Sequence, residues 1–394
     1  MNTNDINKLG KELELYNSVS YIGKGFPIFL PRGAKIVKII RDYIESEEEK
    51  AGYSILRTPS VSRAEIYRIE DRLESQKDEM FIIKSQDEED NSIVLRPYSM
   101  PFHCSVYSLK QHSYKELPVK FSETSTVFRN ERDIKGIGRT RQITMSDASI
   151  FTTHEGLTKQ IKESLNLQKK CIDNLGLEVR YAISNWDNTR KEDYIGTINE
   201  WDYAVSSMKK ALEDMKIEYT EDDNARMYGP SIVAYIGRQE LSRVQIDFEI
   251  VHRFDLKYVN SENEEVFPIY IHRTSIGSYE RLLEILIEKY QGEFPLWIAP
   301  VQVQIISAGE EFDDYAKEIK DRMIRENIRV EEDKSDNNIQ SKEYRAVDLK
   351  VPYIVKIGKK QYNDKSVEVR SNVGKREMKL DDLINEIKNK SAMK

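Results

Sequence analysis

The stretch TVFRNERDIKGIGRTRQITMSDASIF, residues 126–151, concentrates the chemistry of this chain. Within it FRNER (128–132) sets Arg129 and Glu131 two residues apart, and on a β-strand that spacing points both side chains to one face. GIGRTRQ (136–142) adds Arg139 and Arg141 on a glycine-bearing, mobile loop. Further on, GSYER (277–281) places Arg281 within the first turns of a helix. Guanidinium forks bind phosphate through paired hydrogen bonds and stay charged, so several arginines with an acidic partner suit a polyphosphate. Taken alone, Arg-Asn-Glu-Arg reads as a set of surface salt bridges of small energetic weight. The chain has no P-loop and no GxGxxG fingerprint, which removes those two nucleotide-binding folds.

Working outward, residues 34–51 carry Ile36, Ile39, Ile40, Tyr43 and Ile44 on one helical face, and Gly52 ends that helix. SILRTPSV (54–61) reads as a strand entering a turn at Pro59. A second helix is predicted over 155–174, with Leu157, Ile161, Leu165, Leu167 and Cys171 apolar and Gly176 just beyond. Residues 241–258 alternate: Val244, Ile246, Phe248 and Ile250 against Gln245, Asp247 and Glu249, the pattern of a strand. The stretch 278–290 is helical, with Ser278 as N-cap and Glu280 in the first turn. EFPLWIAP (293–300) holds two prolines and marks the domain boundary. Beyond it strand and helix alternate: VQVQIIS, DDYAKEIKDRMIRENI, RVEED, RAVDLK, PYIVKIG and VEVRS, with DKSDNNIQSKEY (333–344) expected as a mobile loop.

Length and composition set bounds on these readings. At 394 residues, 39% hydrophobic and 33% charged, the chain has an ordinary globular composition and is too long for one comfortable core. No apolar run approaches the roughly 18 residues of a membrane span. MNTNDINKLGKELELY lacks the features of a signal peptide. Cys104 and Cys171 stand far apart with no CxxC spacing, which argues against a disulfide framework and for a reducing cytoplasm. A net charge of −7 speaks against a chain coated in basic charge, although a local basic face is enough for RNA.

Set in order, GFPIFLPRGAKIVKIIRDYIESEEEKAGYSILRTPSV (25–61), LRPYSMPFHC (95–104), the 126–151 stretch, MYGPSI (227–232), VQIDFEIVHRFDLKYV (244–259) and IHRTSIGSYERLLEILIEKYQGEFPLWIAPVQV (271–303) resemble the threonyl-tRNA synthetase family. The resemblance runs from about Lys8 to the C-terminus. It implies an α+β fold: a class II synthetase domain over 1–296, an antiparallel sheet flanked by helices, then a small α/β anticodon-binding-like domain over 297–394. It also implies three motifs, the first ending at Pro59 in a homodimer interface. The implied reaction is attack of an amino-acid carboxylate on the α-phosphorus of ATP, which needs alignment and charge neutralisation rather than a nucleophilic side chain. By resemblance Arg129 bridges the α-phosphate and the carboxylate, Arg281 grips the γ-phosphate, and Glu131 accepts from the adenine amino group. Arg141, Ile143 and Arg243 complete the ATP site, and Glu240 holds magnesium, a hard cation that prefers oxygen. Ser99, Met100, Met145, Asp147, Ser149, Tyr228, Gln245 and His272 would line the amino-acid pocket.

The departures from the family are as informative. A zinc ion is expected on one cysteine and two histidines, but here those positions are Met100, Ser149 and His272. One imidazole cannot hold a three-ligand site, and the neighbouring Cys104 and His103 are not the family's ligands, so a zinc-free pocket is expected. The glutamine near the substrate is Met145, the aromatic over adenine is Ile143, and a Gly-Thr pair is Ser242-Arg243. The family's N-terminal editing region is expected to be absent. In the last hundred residues Gln361 replaces an acidic base-reading residue, while Arg370 remains a candidate tRNA contact. These features leave a tRNA ligase with altered amino-acid recognition, or a paralogue that passes the acyl group to a carrier protein or small-molecule amine. A non-catalytic subunit fits poorly with intact Arg129, Glu131 and Arg281.

Overall fold

A computed structural model of the chain describes residues 3–84 and 92–392. They form two compact units: the described residues up to Ile40 together with those from Leu283 onward, and Arg41–Leu282.

The Arg41–Leu282 unit is built on an eight-stranded sheet. Its strands are β1 (Ser54–Ile55), β2 (Val119–Phe128), β3 (Gln142–Thr152), β4 (Arg180–Ser184), β5 (Tyr219–Asp222), β6 (Ser231–Ile236), β7 (Gln239–Asp247) and β8 (Ile269–Ser278). The order across the sheet is β5-β4-β6-β7-β8-β3-β2-β1, antiparallel except for the outermost pair at each edge. Strand alternation gives the sheet two chemically different faces. Ala148, Ile150, Val244, Ile246 and Ile271 are fully buried and point to the same side by register. The helix Leu157–Asn174 packs on β8, β7 and β3, burying Leu157, Ile161, Leu165 and Cys171. The opposite side carries the polar residues described below.

Most predicted elements are present. The first long helix is α1 (Pro31–Lys50), with Gly52 at φ 83° just past its end, where only glycine is unstrained. The Leu157–Asn174 helix is α2, and α3 is Tyr279–Tyr290. Ser278 caps α3 as expected, its Oγ accepting the Arg281 N–H at 3.2 Å.

Three expectations need correction. The strand predicted over 241–258 stops at Asp247, because its Oδ1 accepts the N–H groups of Glu249 and Ile250 (2.9 and 3.0 Å) and starts the short helix Ile250–Arg253. FRNER is not all strand: β2 ends at Phe128, so the period-two argument does not reach Glu131. In the C-terminal region RAVDLK is not a strand and DKSDNNIQSKEY is only partly a loop. Asn338 accepts the Ser341 N–H (2.8 Å) and caps a helix, α5 (Ile339–Asp348), that takes in most of RAVDLK and the second half of DKSDNNIQSKEY.

The other unit carries a five-stranded mixed sheet of β9 (Val303–Ser307), β10 (Val330–Glu332), β11 (Tyr353–Ile357), β12 (Val367–Ser371) and β13 (Gly374–Met378), ordered β10-β9-β11-β12-β13. Its central strands are parallel and apolar on both sides, as such strands must be when both faces are covered. Val303, Ile305, Val355 and Ile357 pack with Ile319 and Met323 of α4 (Asp313–Arg325) and with Leu383 and Ile387 of α6 (Leu380–Ser391). Ile306 and Ile354 pack instead with Ala346 of α5.

Candidate active site

The sheet register assembles the site. Ser149 pairs with His272 and Asp147 with Thr274 across β3 and β8, His272 pairs with Gln245 across β8 and β7, and Glu123 and Ser125 of β2 face Asp147 and Met145. Residues directly opposite share a face, so Ile143, Met145, Asp147, Ser149, Gln245 and His272 stand together on the side α2 leaves open. A one-residue slip in any of these strands would turn its whole set to the other face.

Asp147 is the hub. The hydroxyls of Ser99 and Ser125 each donate to its Oδ2 at 2.7 Å, and His272 Nε2 lies 3.3 Å from Oδ1. Burial alone would raise its pKa, but the His272 contact and the two hydroxyl bonds outweigh it and hold the carboxyl well below the usual carboxylate range. It is therefore a fixed anion, suited to an ammonium. Ser149, fully buried, is engaged on both sides: its Oγ lies 2.8 Å from His103 Nδ1 and 2.7 Å from the Tyr270 hydroxyl. His103 continues to Glu123 (3.3 Å), and Glu123 to Arg96 (3.2 Å) and Thr58. Met100 opens the short helix Met100–Tyr107 and packs against the cluster of Cys104, Tyr107, Phe151 and Tyr270. Burial pushes the Cys104 thiol well up, so it is a core residue rather than a thiolate. Among the described residues no group of three or more His, Cys, Asp or Glu side chains is placed to hold a metal ion.

The phosphate-binding candidates lie on strand β7, on the loop between β2 and β3 and at the start of α3. Arg129 extends the β2–β3 ladder, its N–H donating to Arg141 O (2.8 Å) and its Nε to Pro97 O (3.2 Å). Glu131 is paired with Arg139 at 3.0 Å, and Arg141 Nε donates to the Glu131 carbonyl at 3.1 Å. Glu240 and Arg243 form a two-pronged ion pair (2.9 and 2.7 Å), and Arg281 Nη1 donates to the Glu240 carbonyl at 2.9 Å. Tyr228 lies beneath the Arg72 guanidinium, 3.7 Å from its ring centroid, and Arg72 also meets Asp247 at 3.1 Å.

Sequence reasoning missed Arg72, Arg226 and Ser125, and took Glu280 only as a helix-start residue. Arg226 opens to solvent on one side, yet protein crowds it on the others. That crowding, then the Arg243, Arg129 and Arg72 charges, push its pKa down to about 10. Arg243, Arg129 and Arg72 lie near enough to act on its charge, and four arginines so grouped suit a polyanion. Its position just before MYGP was the only available signal, whereas Arg72 lies in EDRLES, where nothing distinguishes it from a surface residue. Glu280 accepts the Thr144 N–H with both carboxylate oxygens (3.0 and 2.9 Å), tying the start of α3, and so Arg281, to β3. Arg370 lies on β12 of the other unit. Its Nη1 donates to Glu343 at 2.6 Å, and Lys356 and Lys375 pair with the same carboxylate. Gln361 is likewise engaged, with Gly358 (3.1 Å) and Glu377 (3.2 Å).

Comparison with known proteins identifies the family. Residues 81–290 match the tRNA synthetase class II core domain (G, H, P, S and T), and residues 302–390 match the anticodon binding domain. The chain is 37% identical to a threonine--tRNA ligase of Clostridium perfringens over 97% of its own length and 61% of that protein's. It is 36% identical to one from Clostridium botulinum over 99% and 62% respectively. It thus spans about three fifths of the length of these curated relatives. Among solved structures, one described as the RNA binding domain of threonyl-tRNA synthetase from Cryptosporidium parvum aligns with a TM-score of 0.88 at 26% identity, covering 98% of this chain and 97% of that one. The prolyl-tRNA synthetase of Giardia lamblia, solved with prolyl-adenylate, shares the fold at a TM-score of 0.72 and 21% identity, covering 99% and 81%. With more than half of its length matched to the core and the second match following in order, this chain belongs to the class II tRNA synthetase family (G, H, P, S and T), and its relatives within it are of threonyl type.

Proposed function

We propose that the chain activates an amino acid with ATP and transfers the acyl group to tRNA, with 1–296 as the catalytic part and 297–394 as the RNA-reading part. The observation that carries this reading is the grouping of Arg226 with Arg129 and Arg243, and of Arg243 and Arg281 with Glu240, in the unit whose sheet also holds the buried anion Asp147. A carboxylate oxygen attacks the α-phosphorus, the bond to the β-phosphate oxygen breaks, and pyrophosphate leaves. Arg129 neutralises charge at the α-phosphate and Arg281 at the leaving group, where fixed donors act most strongly. Ile143 packs on adenine, Arg141 and Arg243 flank the phosphates, and Glu131 accepts the adenine amino group once Arg139 releases it. Asp147 Oδ1 takes the substrate ammonium, and Tyr228 and Gln245 line the remaining pocket. No helix among the described residues is long and apolar enough to cross a membrane. We place the protein in the cytoplasm, as a homodimer joined near Pro59.

The two implied metals fare differently. Zinc does not fit: Met100 is a thioether packed in an apolar cluster, the Ser149 hydroxyl is held by His103 and Tyr270, and His272 faces Asp147. We therefore read the pocket as zinc-free. Magnesium would find an oxygen donor in Glu240, but both of its oxygens face Arg243, so that pair must open first. A second acceptor class, a carrier protein or small-molecule amine, is favoured by one observation: both expected anticodon-reading positions, Arg370 and Gln361, are tied within their own unit. Charging of unfractionated tRNA with radiolabelled amino acids separates the two readings. Acid-precipitable label supports the tRNA reading. Adenylate formation with no labelled tRNA sinks it in favour of the second acceptor. One zinc per chain by elemental analysis, lost on His272→Ala, would refute the zinc-free pocket.

A further inference from the structure

The unit containing the five-stranded sheet has a cavity of about 620 Å³, a size suited to a small molecule. None of its lining residues belongs to the catalytic face. Arg32, the second residue of α1, is the central group. It is 8% exposed, its Nε donates to Leu13 O (3.2 Å) and its Nη2 to Leu349 O (2.7 Å), while Nη1 is buried without a partner. An unpartnered buried guanidinium nitrogen is costly unless something else completes it. Leu30, Pro31 and Arg32 also bring the N-terminus of the 20-residue α1 to the cavity, where the opening N–H groups have no acceptor within the helix. That end is rigidly placed: a Cβ on Gly33 would lie 2.0 Å from Leu15 O, so the backbone is pressed against the preceding segment.

The rest of the lining carries both signs of charge. Lys342 and Arg345 come from α5, Arg345 meeting Glu14 at 3.4 Å and Lys342 donating to Asp333 O at 3.1 Å. Glu331 comes from β10, with Asp333 just beyond it. Glu331 and Glu14 both lie near enough to favour the Arg32 charge. A simple polyanion would gain Arg32 and the helix end but be repelled by these carboxylates. A molecule carrying one negative and one positive group satisfies both.

We propose that this cavity binds a free α-amino acid as its zwitterion, the carboxylate on Arg32 Nη1 and the α1 N-terminus and the ammonium on Glu331 and Asp333. The ligand completes the one open position of Arg32 and meets each of its own charges with an opposite one. The site is separate from the catalytic pocket and does not depend on the activity proposed above.

The test is isothermal titration of the full chain with each of the twenty L-amino acids, then with the α-amide and the N-acetyl derivative of the tightest binder, and with inorganic phosphate. The expected result is saturable binding that weakens at least tenfold when either charge of the ligand is removed and at least tenfold in Glu331→Gln, with phosphate far weaker. Arg32→Met should abolish it, but that substitution also removes bonds to Leu13 and Leu349. If it unfolds the chain, Glu331→Gln decides. Absence of binding by every amino acid, phosphate binding as tight as the amino acid, or binding unchanged in Glu331→Gln but lost in Asp147→Asn, which locates it in the catalytic pocket, would each overturn the proposal.

Discussion

Glu70 gives a prediction whose size follows from its surroundings. Its carboxyl is 2% exposed, with Tyr98 donating to Oε2 at 2.9 Å and Oε1 buried without a partner. Burial is the largest influence and raises its pKa from 4.5 to about 7, against the opposing pull of Arg72. The folded state therefore holds this proton more tightly than the unfolded chain. Below pH 4.5 both states are protonated and the full stability is present. Between 4.5 and 7 only the unfolded chain ionises, so stability falls as pH rises, and above 7 the loss is complete. The difference between 4.5 and about 7 corresponds to about 3 kcal/mol, most of it falling between pH 5 and pH 8. The perturbation is Glu70→Gln, which keeps the shape and removes the titration. The buried amide nitrogen then lacks an acceptor and costs about 1–3 kcal/mol, equally at both pH values. Urea unfolding at pH 5 and pH 8 can be followed by fluorescence of Trp186 and Trp201, which stack at 4.9 Å in the same unit. The parent protein should lose about 2–3 kcal/mol more than Glu70→Gln between these pH values. Glu280, also raised to about 7 by burial, contributes the same loss to both proteins and cancels. Equal losses in the two proteins would show that Glu70 is ionised in the fold and that Arg72 outweighs its burial.

Gly277 has φ 66°, and a Cβ there would lie 2.1 Å from Leu241 O, so Gly277→Ala should cost about 3 kcal/mol or more and displace Arg281; a melting temperature within 1–2 °C of the parent, roughly the resolution of such a scan, contradicts this. Glu343→Gln should free Arg370, Lys356 and Lys375, tightening tRNA binding several-fold and steepening its dependence on log salt concentration by about 1 or more; unchanged affinity and slope would show that this cluster does not meet RNA. Threonine should be preferred over valine by no more than about 10², because a site that pairs fully with a substrate hydroxyl reaches about 10⁴ and here Ser149 is already engaged while Met100 and Met145 offer no partner. Specificity constants from pyrophosphate exchange measure that ratio, and a larger value means the hydroxyl is recognised without zinc.

How much of this was legible beforehand depends on the kind of signal. The helices α1, α2 and α3 announce themselves because their apolar spacing, terminal glycines and Ser278 cap are local properties. The strand over 241–258 was overextended because its alternation continues past Asp247, and only a side-chain bond to Glu249 and Ile250 ends it. RAVDLK reads as a strand in isolation but becomes helical through Asn338, seven residues earlier. Ordered motifs brought the site residues to attention one at a time, yet their shared face comes from cross-strand register, which one sequence does not display. Arg72 and Arg226 act through position alone, having no motif of their own. The engagement of Ser149, Glu131 and Glu240 by His103, Arg139 and Arg243 is a tertiary fact of the same kind.

The most direct test of the account is ATP–pyrophosphate exchange with a panel of amino acids, run on the parent chain and on Arg129→Ala and Arg281→Ala. Removing one preorganised electrostatic contact to the transition state commonly costs about 3 kcal/mol, so each variant should lose about 10² or more in exchange while keeping its circular dichroism and melting temperature. The account predicts exchange with at least one amino acid in the parent and its loss in both variants. Exchange with none of them, or exchange that survives in either folded variant, would contradict it.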